Sequence, residues 1–327
     1  YRALASVTTG DDNVAIGSNA LRLATTAGDN ISIGHDSMAA RTSGSNNIAI
    51  GPEALYTSRG STYNIAIGPF AGYNVTTGGS GNVFIGYKAG YANKTQGGAI
   101  AIGYEAMGGN AGTEEGYGIA IGFRAMFNGK DGSNGTIVGN SAGQYLQGTA
   151  ATYIGGEAGR YATGSFNTFV GSSAGKGASS APYGSGTYNA AMGYQALLNF
   201  TTAERVTAIG HQAAYNATTS RFGVFLGYRA GFAVTTADFG PIAIGHSALG
   251  AMTDKVGNTA VGYEAAYAND TATQATFIGY AAARLSTGGV NSTIIGSQAG
   301  MYIVGSDNVH VGFQTGYYAT GSYNTFV

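Results

Sequence analysis

A short phrase of aliphatic residues ending in glycine returns along the whole chain at a spacing too short for most repeat folds. The glycines are 17, 34, 51, 68, 86, 103, 122, 139, 155, 171, 193, 210, 227, 245, 262, 279, 296 and 312, eighteen copies about 17 residues apart. No helical repeat unit is this short. The β-branched residues before each glycine, and the Asn and Gly around them, favour strand and turn. One repeat then forms one coil of a parallel β-solenoid, pairing with its neighbours across a strand spacing of about 4.8 Å. The expected fold is all-β, a single solenoid of about eighteen flattened coils over residues 1–327.

The columns of the repeat give each position a role. The residue before the glycine is aliphatic in every copy, from Ile16 to Val311, with Met192 and Leu226 the least typical. Three before it stands Val, Ile, Thr or, at 190, Ala. Three after it stands Ala, except at Ser37 and Thr315. Two after it most residues are polar, as at Asn19, Glu53 and Lys88. Alternation of period two around a glycine bend predicts inward Val and Ile, an inward Ala and an outward polar residue. Asn opens the strand in ten copies, among them Asn13, Asn30, Asn47 and Asn64, where it can adopt the left-handed conformation and bond to stacked neighbours.

Two further columns compensate each other in volume. A large residue two before the glycine goes with Gly four after it: Phe84 with Gly90, Tyr153 with Gly159, Phe169 with Gly175, Phe225 with Gly231. A small first residue goes with a long second one: Ala49 with Leu55, Ala243 with Leu249. Phe277 with Ala283 nearly follows the trade, and Ala66 with Gly72 departs from it. One volume is filled from either side, as close packing requires. That volume is either a second core layer or an outer seam. With the inward columns already assigned, the expectation is an outer seam of Ala49, Leu55, Phe84, Tyr153, Phe169, Phe225 and Phe277 that joins copies of the chain, most simply as a trimer.

Composition narrows the function classes. The chain has 57 Gly, no Cys, no Trp and 9 % charged residues, with 44 % apolar residues and net charge −1. The dispersed charge argues against a nucleic-acid partner. No apolar run approaches the roughly 20 residues of a membrane helix, so no membrane insertion is expected of this segment. The chain opens at Tyr1 and stops at "NTFV", where the next repeat glycine is due, which reads as a segment of a longer array.

"NVAIG", "NISIGHDSM" and "PIAIGHSAL" resemble the head repeats of trimeric autotransporter adhesins. "GSFNTFVGSSAG" and "TGSYNTFV" are equally similar to repeats of bacteriophage tail fibres. The resemblance covers nearly the whole chain and is specific for architecture. It implies a left-handed parallel β-roll, a homotrimer and an extracellular place on a cell surface or virion. No neck, stalk or anchor accompanies the repeats, and the neck-like "GHDSM" lies inside the array.

Each candidate site has a packing role as its alternative. His35, His211 and His246 follow the glycine and His310 lies in a strand, but no two occupy adjacent coils, so a metal centre is not expected. The adjacent acids are Glu114 with Glu115 and Asp11 with Asp12, a poor match to the paired carboxylates of a glycan-cleaving spike. Thr pairs such as Thr8-Thr9, Thr25-Thr26, Thr201-Thr202 and Thr218-Thr219 read as stacked turns rather than an ice-binding face. Tyr73, Tyr91, Tyr215, Tyr267 and Tyr317, all five after the glycine, either stack sugars or cap the coil's end. The expectation is a non-enzymatic extracellular fibre, without catalytic residues, metal or cofactor, that contacts a surface glycan or protein receptor. The alternatives are a self-assembling filament or sheath subunit and, last, a polysaccharide-cleaving tailspike.

Overall fold

The computed structural model describes residues 2–76, 78–93, 97–109, 118–129, 134–180, 183–236, 239–253, 257–269 and 271–327. The chain divides into two compact units, Tyr1–Arg160 and Tyr161–Val327. Each is a parallel β-solenoid. In the first, three-residue strands run from Val14–Ile16 to Thr152–Ile154; in the second, from Thr168–Val170 to Thr325–Phe326, the last of two residues. Within each unit successive strands pair in parallel and in register, Ile48 with Ile65 and Phe225 with Ala243, for example.

Hydrogen bonds between coils continue past these short strands. Ile48 N–H donates to the Asn64 carbonyl of the next coil at 2.8 Å, and Gly51 N–H to the Ile33 carbonyl of the previous one at 2.7 Å. After the glycine the amides alternate in direction. Those of Ala54 and Ser58 close turns within the coil onto Gly51 and Leu55, while those of Glu53 and Leu55 reach the neighbouring coils at His35 and Ala71. This alternation requires a left-handed backbone at the second and fourth positions after the glycine, as at Glu53 (φ 55°) and Leu55 (φ 49°). A left-handed non-glycine residue costs roughly 1–2 kcal/mol. The inter-coil bonds and the buried side chain at the fourth position offset that cost.

The strand faces the opposite way from the expectation. Its middle residue points inward: Ala49, Phe84, Tyr153, Phe169, Phe225 and Phe277 are all fully buried. Leu55, across the bend, is buried as well. The seven residues expected on an outer seam therefore line the interior of the coil, and the flanking Val and Ile expected inside lie on the surface. A three-residue strand has one inward slot, and the narrow coil admits one large group behind it. The Ala column is inward as expected, with Ala20, Ala54, Ala71 and Ala89 fully buried.

The volume trade holds inside this space. A Cβ at Gly90, Gly175 or Gly231 would overlap the ring of Phe84, Phe169 or Phe225 respectively. The departure at Ala66 and Gly72 also has a cause: a Cβ at Gly72 would stand 2.8 Å from Phe84 and 2.9 Å from Leu55. That coil carries no large group because those on either side reach into it.

The Asn column forms a buried ladder. Asn47 donates from Nδ2 to Asn30 Oδ1 at 3.0 Å and from its backbone at 3.1 Å, and Asn64 repeats both bonds onto Asn47. Bonding to stacked neighbours is as expected, but the left-handed conformation falls one residue earlier, at Asn46, Tyr63, Phe166 and Tyr188. Asn instead satisfies the corner's buried polar groups, each of which would cost about 1–3 kcal/mol unpaired. One interior position departs from the pattern. Arg41 is fully buried against Ser58 and the Ser61 carbonyl, and burial lowers its pKa to about 10.

Candidate contact surface

With the middle strand residue committed to the core, its two neighbours face outward on every coil. Ile16 is 58 % exposed and Met192 51 %. Ile50, Ile67, Ile121, Ile154, Ile209 and Leu226 are exposed as well. Neither column holds a charged residue in any of the eighteen copies. In the first unit they run over nine strands, an apolar stripe of roughly 43 Å at ~4.8 Å per strand.

Beside this stripe, one residue after the glycine, aromatic rings stack from coil to coil. In the second unit Tyr194, His211, Tyr228, His246, Tyr263 and Tyr280 follow one another with centroids 4.8–5.3 Å apart. In the first unit Tyr87, Tyr104 and Phe123 do the same. A second exposed row lies before the Asn column, where Phe166 stacks on Tyr188 at 5.0 Å and the Arg205 guanidinium lies 5.5 Å from both Tyr188 and Phe222. Stacked rings use their faces on each other and present edges and polar atoms to solvent.

The tyrosines singled out in the sequence are half-buried and take part in short local stacks within each unit. Tyr73 stacks between Tyr56 and Tyr91 at 5.2 and 5.1 Å. Burial, and then the nearby Glu53, raise the pKa of its hydroxyl. Tyr215 stacks on Phe232, Tyr267 lies beneath the Arg284 guanidinium, and Tyr317 packs against Tyr302 and Tyr318. In the second unit this position is Gly250 between Phe232 and Tyr267, and a cleft of about 280 Å³ opens there.

The remaining candidates separate by environment. His211 and His246 are rungs of the ring row, and His35 lies beside Asp36, Nδ1 to Oδ2 3.3 Å. The Thr hydroxyls bond to the coil above, Thr8 and Thr25 Oγ1 each donating at 2.9 Å to the Thr25 and Thr42 carbonyls. Asp11 accepts the backbone N–H of Asp29 at 3.0 Å. Glu114 and Glu115 lie outside the described residues. Among the described residues no three His, Asp or Glu side chains converge on a metal-sized space, and no helix is long and apolar enough to cross a membrane.

His310 occupies the inward strand position, under the Phe326 ring and beside Gly316 and Ile294. Neither ring nitrogen has a hydrogen-bond partner among the described residues, and burial lowers its pKa below the usual 6.5. As pH falls, the unfolded chain therefore binds this proton before the folded one. The stability of these coils should decline once pH drops below about 6.5, and stop declining below the folded-state pKa. His310→Phe, which reproduces the pairing of Phe225 with Gly231, should remove this component. The check is the melting temperature of both proteins at about pH 7.5 and pH 5.

The stacked ring row and the outward stripe were missed in the sequence, although the glycine-aligned columns already contained Tyr87, Phe123, His211 and His246 in one position. Compared with known proteins, the chain matches no family model and no curated protein.

Proposed function

We propose that the chain is part of a non-enzymatic extracellular fibre, of the phage tail-fibre or bacterial adhesin kind, that contacts a glycan or protein receptor on a cell surface. The observation that carries this reading is the uncharged stripe left on the outside of each unit, apolar throughout in the column before the glycine and Val, Ile, Thr or Ala three before it. Soluble monomers rarely leave so long an apolar stripe open to water. Its occupant in this reading is the same stripe on further copies of the chain. The resemblance to trimeric adhesin heads favours three copies around one axis, with left-handed coils. The ring rows then border the joint and remain available to a receptor.

The test is the mass in solution. The purified chain should sediment at three times 32.9 kDa. Ile50→Lys with Ile67→Lys should yield a monomer with unchanged circular dichroism, because both side chains point away from the core. A monomeric parent chain, or a double variant that keeps the parent mass, overturns the assignment. Open-ended polymers in electron micrographs would favour the filament reading instead.

A further inference from the structure

In the second unit the position five after the repeat glycine carries Tyr215, Phe232, Gly250 and Tyr267 on successive coils. Tyr215 covers one face of Phe232, with centroids 4.9 Å apart and planes 20° from parallel. The Arg229 guanidinium carbon lies 3.9 Å from the Phe232 centroid. With Tyr215 on one face, the guanidinium must lie on the other, the face turned toward Gly250 and the cleft. Above, the Tyr267 ring overhangs the glycine, since a Cβ at 250 would stand 2.9 Å from its Cδ2 and Cε2. Ser247 completes the lining.

Several of the surface arginines are neutralised by a neighbouring carboxylate. Arg124 pairs with Glu105 at 2.7 Å, Arg205 with Glu204 at 2.6 Å, and Arg284 with Glu264. Arg229 has no carboxylate partner among the described residues. Held against a ring, its guanidinium has less freedom left to lose, and it lines the cleft. Paired donors in one plane match the two oxygens of a carboxylate. A single cation suits a single negative charge; phosphate groups are typically held by clusters of basic residues. The volume, at the lower end for small-molecule sites, holds about one sugar ring. The lower face of Tyr267 can cover the C–H side of that ring, and the Ser247 hydroxyl can bond to it.

We infer that this cleft binds a carboxylated sugar unit, a uronate or sialate, with Arg229 clamping the carboxylate and Tyr267 covering the ring. The inference rests on the receptor-binding reading above and names the glycan class. The two sources of the carboxylate are separated by titrating the intact chain calorimetrically with trigalacturonate and with sialyllactose. Methyl-esterified trigalacturonate and lactose serve as neutral controls. One or both acidic probes should bind, the neutral ones at least tenfold more weakly, and affinity should fall as salt is raised. Arg229→Gln should lower acidic-probe affinity at least tenfold, and Arg229→Lys, which loses the fork, by a smaller factor. Gly250→Tyr, which puts a second ring into the cleft, should block binding at some cost in melting temperature, because its Cβ would stand 2.9 Å from the Ser247 carbonyl oxygen and the Tyr267 ring; Arg229→Gln is the arm that reads binding alone.

The inference is overturned if neither acidic probe binds, if the neutral probes bind as well, or if Arg229→Gln leaves affinity unchanged. Cell attachment that survives Arg229→Gln would remove this site and leave the fibre reading in place. Arginine-dependent sugar binding by a monomeric chain would do the reverse.

Discussion

Gly51→Ala should destabilise the first unit by about 3–5 kcal/mol. Gly51 has φ 131°, a conformation closed to other residues, and strain of this kind costs ~1–3 kcal/mol. A Cβ there would also stand 2.7 Å from the carbonyl carbon and oxygen of Gly68, which are backbone atoms fixed by the ladder. Forcing stacked coils apart adds ~1–3 kcal/mol. In thermal unfolding the shift should be on the order of 10 °C, at ~2–4 °C per kcal/mol for a unit of this size. Gly156→Ala is the control. Its Cβ would meet nothing within 4 Å and its φ is not positive, so it should change stability by no more than ~0.5 kcal/mol. Equal effects from the two substitutions would show that the repeat glycine is not required by close approach.

The second large effect concerns the shared interior volume. Phe225→Ala should cost ~3–5 kcal/mol by leaving a cavity. Gly231→Leu alone should cost at least ~2 kcal/mol, because its Cβ overlaps the Phe225 ring. The double variant reproduces Ala243 with Leu249 on the next coil, and Leu249 has φ 50° against 61° for Gly231, so the backbone already suits it. It should be less destabilised than the sum of the two by ~2–3 kcal/mol, measured by urea unfolding of all four proteins. Additivity would mean the two positions do not share a space. Loss of the proposed self-association without unfolding in Phe225→Ala would return that residue to the surface.

Much of the fold was legible because a solenoid repeats its physics. The 17-residue spacing, the Ala column, the Asn ladder and the exchange of Phe225 against Gly231 could all be read by aligning glycines. What hydrophobicity got wrong was the phase. Ile48 and Ile50 are larger and more apolar than Ala49 between them, and burying the larger pair looked favourable. The clue was in the exchange itself. Only a closed space makes one residue shrink when another grows, and the Ile columns never compensate anything. Ala66 with Gly72 looked like an exception because volumes were matched within a coil, whereas Phe84 and Leu55 fill that space from the coils above and below. The left-handed residues of the turn left no compositional trace, since Glu, Leu, Arg and Gln all occupy them. The cleft at Gly250 depends on which face of Phe232 Tyr215 leaves open, and that is fixed only once coils are stacked.

The in-register ladder has a consequence for how such a chain changes size. Ile48 lies opposite Ile65 and Ala49 opposite Ala66, and the Asn and turn bonds repeat at the same offset. Excising one whole repeat therefore reconnects chemically equivalent partners, and length can be gained or lost in increments of a single layer. Junctions are not all interchangeable, however. A cut that separates Gly72 from Phe84 would leave a hollow layer, so the array's grammar is written in volumes and permits some splices while forbidding others.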